Sequence, residues 1–122
     1  MAVMQSRNNR SYNAGGDLSA AQFKFVKVSG ANVVVAATLG EVCLGVLLNN
    51  PAQNQEATVC IDGKVMVKVG AVAIAAGAVV GTDANALAIT AAAGKTIMGY
   101  ATEAGAAGQV IAIEMIQGGN TV

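Results

Sequence analysis

The sequence predicts an all-β fold, a small β-barrel or β-sandwich of about eight short strands with an extended N-terminal arm. Three observations predict it. From Gln22 onward apolar and polar residues alternate with a period of two, most cleanly in Lys64-Val65-Met66-Val67-Lys68-Val69, where the valines share one face and Lys64, Met66 and Lys68 the other. The apolar runs are short and are separated by Gly, Asn, Asp or the single Pro51. Helix is disfavoured even where alanine is dense, because Ala71–Ala78 and Ala101–Ala107 are interrupted by Gly77 and Gly105 and adjoin valine-rich stretches that prefer a pleated surface.

Taken in chain order, residues 1–16 are set apart as a flexible N-terminal arm and 17–122 as one barrel-like domain. Gln5, Ser6, Arg7, Asn8, Asn9, Arg10, Ser11 and Asn13 make the arm polar, and Gly15-Gly16 closes it with a hinge. It carries two of the seven cations and no acid, so the remainder holds five lysines against seven acids. Removing residues 1–16 is expected to leave the body folded. Leu18–Gln22 admits one helical turn capped by Ser19. Strand-like runs follow at Gln22–Val28, Val33–Ala37, Val42–Leu48, Ala57–Ile61, Lys64–Val69, Ala86–Thr90, Thr96–Ala101 and Val110–Ile116. Asp62-Gly63 has the composition of a type I′ turn, which predicts a hairpin from Glu56 to Val69.

The chain also resembles itself. Gly40-Glu41-Val42-Cys43-Leu44-Gly45-Val46 aligns with Gly94-Lys95-Thr96-Ile97-Met98-Gly99-Tyr100, and the same displacement carries Ala52 to Ala106 and Gln55 to Gln109. Ala31-Asn32 matches Ala84-Asn85 at a displacement one shorter. Two related strand–turn–strand units of about thirty residues, and a pseudo-symmetric barrel, are expected.

Composition excludes several chemistries. With 122 residues there is room for one domain and one core. Cations and anions balance at seven each, so neither nucleic acid nor an anionic membrane is an expected partner. The absence of histidine removes Ser-His-Asp, Cys-His and His-ligated zinc arrangements. No glycine cluster has the Lys-Ser/Thr of a phosphate cradle, and the seven acids are scattered singly, as solvated side chains are. Cys43 and Cys60 read as reduced core thiols, a bridge or a reactive thiol being the alternatives. The apolar run Val69–Gly81 is too short for the ~20 residues of a membrane span, and the polar run Ser11–Asp17 after Arg7 and Arg10 does not read as a secretory leader, so synthesis for the cytosol is expected. Lys64 beside the expected hairpin invites comparison with lipoyl and biotinyl carriers, but its surroundings lack the Met-Lys-Met pattern of the biotinyl type. Phe23 and Phe25 alternate on one strand as core residues would. What remains is a chain with 11% charged and 54% hydrophobic residues, the composition of a molecule that self-associates or docks.

The runs Asp17–Val26, Gly45–Pro51, Val65–Gly70 with Ile74–Gly77, Gly99–Glu103 and Ala107–Ile111 resemble, in their order and distances, the tailed-phage capsid cement (head decoration) proteins. The resemblance covers nearly everything after the arm. It implies a compact β-barrel-like decoration domain that binds the outer surface of the bacteriophage head and cements neighbouring major capsid protein subunits as a homo-oligomer, a trimer being favoured. It implies no catalysis and no cofactor; the absence of a metal, membrane or nucleic-acid partner is expected from the composition above. Arg7, Asn8, Asn9, Arg10 and Tyr12 are the candidate capsid-binding residues, since an arm with two arginines suits charge-assisted bonds to acidic groups or addition to a sheet edge. The alternative is a carbohydrate- or cell-binding module displayed on the particle.

Overall fold

The computed structural model describes residues 5–116 and 121–122, with the side chains of the first strand described from Asn9 onward. Among these residues there are nine strands and no helix: β1 (Gln5–Ala14), β2 (Phe25–Ser29), β3 (Asn32–Val35), β4 (Gly45–Leu47), β5 (Glu56–Lys68), β6 (Val79–Thr82), β7 (Ala88–Thr90), β8 (Gly99–Ala101) and β9 (Val110–Met115). The all-β expectation holds. Leu18–Gln22 forms turns rather than a helix: the Ala21 amide donates to the Leu18 carbonyl and the Lys24 amide to the Ala21 carbonyl, while Asp17 Oδ1 accepts the Ser19 amide at 3.1 Å.

The strands form one sheet in the order β1-β3-β2-β4-β5-β9-β8-β6-β7, and β1 also pairs with β5. That last pairing closes a cycle, β1-β3-β2-β4-β5, called ring 1 below. A second cycle, ring 2, runs β5-β9-β8-β6-β7 and is completed by the parallel bridge between Val69, just past β5, and Ala88. Closure matters because an open edge offers unpaired N–H and C=O groups to any extended chain.

The two rings are copies. A displacement of 54 positions carries Gly45 to Gly99, and it carries the pairing Phe25↔Val46 to Val79↔Tyr100 and Leu47↔Val59 to Ala101↔Ile113. Individual hydrogen bonds repeat: Phe23 amide to Leu47 carbonyl and Gly77 amide to Ala101 carbonyl, both 2.7 Å; Leu44 amide to Val26 carbonyl at 2.8 Å and Met98 amide to Val80 carbonyl at 2.7 Å. Gln55 and Gln109 each fold back to accept the amide three residues earlier at 2.8 Å. Left-handed backbone recurs too, at Phe23 and Gly77, Gly40 and Gly94, Asn54 and Gly108. The repeat is therefore a whole ring rather than a unit of about thirty residues. The inward residues Val26, Leu47, Ala57 and Val59 of ring 1 become Val80, Ala101, Ile111 and Ile113 in ring 2, all buried, and Val33 becomes buried Ala88 at a displacement one longer, because the turn before β7 holds an extra residue; the expected match of Ala31-Asn32 with Ala84-Asn85 at a displacement one shorter does not hold.

Three further expectations need correction. Glu56 to Val69 is not a hairpin. β5 runs straight through Asp62-Gly63, its first half serving ring 1 and its second half ring 2. Gly63 has φ +96°, and the β1–β5 register slips here, with Asn9 opposite Cys60, Asn8 opposite Asp62 and Ser6 opposite Gly63. The positive φ that suits a I′ turn is used in a bulge, which bends one strand from ring to ring. The segment 1–16 also differs from a free arm over its described part. β1 is antiparallel to β5 from Gln5↔Lys64 to Asn13↔Glu56 and parallel to β3 at Ala14↔Val33, and Ala14 is buried. It occupies in ring 1 the place that the second half of β5 takes in ring 2. Residues 1–4 lie outside the described residues. Phe23 is also not a strand residue: it precedes β2, half-buried at φ +66°, whereas Phe25 is fully buried.

Candidate functional site

The five candidate residues all lie on β1. Asn9 and Arg10 are exposed opposite Cys60 and Val59. Tyr12 is half-buried against the ring 1 core formed by Ala14, Leu47 and Val59, so its ring helps hold β1 in place. Arg7 and Asn8 stand where the register slips, and their side chains lie outside the described residues. β1 is fixed at its end by Ser11 Oγ, which donates to Glu56 Oε1 at 2.8 Å, and by Asn13 Nδ2, which donates to Asn32 Oδ1 at 2.9 Å.

A second surface was missed by sequence reasoning. Lys27, Val28, Glu41, Val42, Cys43 and Leu44 line an open groove at the end of ring 1, with Val28 and Val42 largely exposed. The signal was in the self-alignment: Val42 is the counterpart of Thr96, which is buried. Lys27 Nζ lies 3.1 Å from Glu41 Oε1, and Glu41 Oε2 accepts the amides of Ala37 and Thr38, each at 2.7 Å. Burial alone would raise the Glu41 pKa, but the two amides and the ammonium outweigh it, and the carboxyl titrates below its ordinary 4.5. A lowered folded-state pKa stabilises the native loop above the unfolded value, and this is lost as pH falls through the folded one. On acidification from about pH 5 to about pH 3, the melting temperature of wild type is expected to fall further than that of Glu41→Gln, measured by circular dichroism. Equal falls would contradict the tether.

Cys43 and Cys60 are both buried, Cys60 Sγ donating to the Asp62 carbonyl at 3.0 Å, and the Cys43 thiol is pushed up to about 12 by burial, with Glu41 adding to it. It is the reverse of an activated nucleophile. Lys64 lies mid-strand in β5 between Gln5 and Glu114, not at a hairpin tip where a carrier lysine stands. Among the described residues no three His, Cys, Asp or Glu side chains gather as metal ligands would, and no helix is long and apolar enough to cross a membrane.

A family model described as phage cement protein matches residues 11–116, which spans both rings. No curated protein matches. Among solved structures, the head fiber gp8.5 N base of bacteriophage phi29 is similar with a TM-score of 0.65 at 12% identity, covering 94% of this chain and 98% of that one. At that identity the likeness is one of fold.

Proposed function

This chain belongs to the phage cement protein family and is a structural protein of the phage head, and from that premise we propose that it binds the outer surface of the head and bridges neighbouring major capsid protein subunits, as a homo-oligomer and without catalysis. The observation that carries the reading is the family match over residues 11–116, which takes in both rings apart from Gln5–Arg10 of β1. The chemistry supports the reading: a charge-poor β body with a buried, unreactive Cys43 thiol and singly scattered acids offers surfaces for other protein chains to touch. An interface that exists only in the assembled shell adds its free energy to that shell, and a small gain is multiplied by copy number. A trimer is the favoured assembly, with the virion surface as its location.

Arg7, Asn8, Asn9, Arg10 and Tyr12 serve as contacts on this reading. The contact is made by β1 held in its ring, so no ordering entropy over the paired residues opposes binding.

Purified protein mixed with undecorated expanded heads is expected to co-sediment saturably, and Arg10→Glu to weaken that binding about tenfold, the loss of one charge-assisted contact. Failure of wild type to co-sediment would overturn the proposal, and binding to bacterial cells but not heads would favour the displayed adhesion module.

A further inference from the structure

The relation between the rings shows what each end of the molecule is built to touch. In ring 2, the end made by Thr82 and residues 95–98 is covered by ring 1. The Gly40 amide donates to the Thr82 carbonyl at 2.8 Å, the Thr96 amide donates to the Gly40 carbonyl at 3.3 Å, and Thr82 and Thr96 are 0% and 7% exposed. The displacement that takes Gly40 to Gly94 takes Val28 to Thr82, Val42 to Thr96 and Leu44 to Met98. In ring 1 these positions line the open groove beside the Lys27–Glu41 pair, with Val28 and Val42 55% and 66% exposed. One face is thus a working protein interface, and its counterpart has the same backbone with valines in place of threonines, uncovered by any described residue.

A second copy of the chain is a poor match for it. The turn it would have to offer is the one at Gly94, counterpart of the covering Gly40. That turn is already engaged: the Gly94 amide donates to the Val122 carbonyl at 3.0 Å, the Val122 amide donates to the Lys95 carbonyl at 3.0 Å, and Thr121 bridges Thr96. Stacked repeats end in this way, with a terminal cap that stops the series. One end of this molecule is capped and the other is open, so a head-to-tail series of copies does not propagate.

We infer that the Val28–Val42 face of ring 1 seats a glycine-bearing turn of the major capsid protein, an inference that rests on the head-binding reading above. The turn at Gly40 shows the chemistry required: glycine at φ +71°, its amide directed at the carbonyl of the first counterpart position and its carbonyl at the amide of the second. On ring 1 those groups are the Val28 carbonyl and the Val42 amide. Their side chains supply the apolar floor and the Lys27–Glu41 pair a polar rim. Val28 pairs with Val33, next to the Asn32 that anchors β1, so this face and β1 lie toward the same end of ring 1.

The test measures head co-sedimentation of wild type, Val28→Asp, Val42→Asp and Tyr100→Ser, the last altering an exposed residue on ring 2. All substituted positions are exposed, so unchanged melting temperatures are expected. Both aspartate variants should lose at least tenfold in affinity and Tyr100→Ser should bind as wild type does. Undiminished binding by Val28→Asp and Val42→Asp alongside bound wild type overturns the face and leaves the head-binding reading intact. Wild type that does not bind removes that reading and this inference with it. If light scattering without heads shows the aspartates splitting an oligomer of the free protein, the occupant is a second copy and the capsid assignment is wrong.

Discussion

Gly45→Ala is expected to lower the melting temperature by about 10 °C, and Gly99→Ala to do the same. A Cβ built at Gly45 collides with the Cys60 carbonyl oxygen, and one at Gly99 with the Glu114 carbonyl oxygen. Both obstacles are backbone in the neighbouring strand, β5 and β9, which cannot rotate away as a flexible side chain would. Relief requires moving a strand within a closed cycle, and overpacking of that kind costs about 3 kcal/mol. For a chain of this length each kcal/mol moves the midpoint by roughly 3–5 °C. Gly16→Ala is the control, since nothing lies within 4 Å of its added Cβ, and it should shift the midpoint by no more than about 1 °C. A Gly45→Ala protein that melts like wild type would mean that β4 and β5 do not approach as described.

Deleting residues 1–16 has the second large effect, and its sign is opposite to what a detachable arm predicts. The deletion removes all of β1, hence both pairings that close ring 1, to β5 and to β3. It also removes buried Ala14 and the Tyr12 ring from a cluster that contains Val33, Ala57 and Val59. The exposed edge of β5 becomes available to other chains, and aggregation follows from that as much as from lost stability. Ring 2 draws on β5 to β9 and retains its pairings. Guanidinium unfolding of the truncated protein should show a smaller m-value together with a lower midpoint, since less surface is exposed on unfolding. Unfolding indistinguishable from that of the full chain would restore the arm as an appendage.

The sequence revealed strand type and turn placement because alternation and turn residues are local properties. Seven of the nine strands overlap runs read from the pattern, and the two missed show why the rest was hidden. β1 is polar at nearly every position; it is a strand because β5 and β3 need a partner, and no local preference states that. β6, Val79-Val80-Gly81-Thr82, looks like the tail of an apolar run and becomes a strand through its pairing with β7 and β8. The Asp62-Gly63 pair misled because a positive φ serves a bulge as well as a turn. The duplication was legible only where backbone demands fixed the residue, at Gly40, Gly45, Gln55 and their counterparts. Elsewhere burial alone is preserved, and Leu47 and Ala101 satisfy it equally. At the candidate site, the polar β1 residues were visible as an unusual run, whereas the Val28–Val42 face depended on knowing which of two equivalent surfaces the other ring covers.

The proposed bridging of head subunits is tested by the temperature at which DNA-filled heads lose their DNA, followed by dye uptake with and without saturating protein. A higher release temperature that scales with occupancy is expected. Full occupancy with no change in release temperature would show a protein that decorates the head without cementing it.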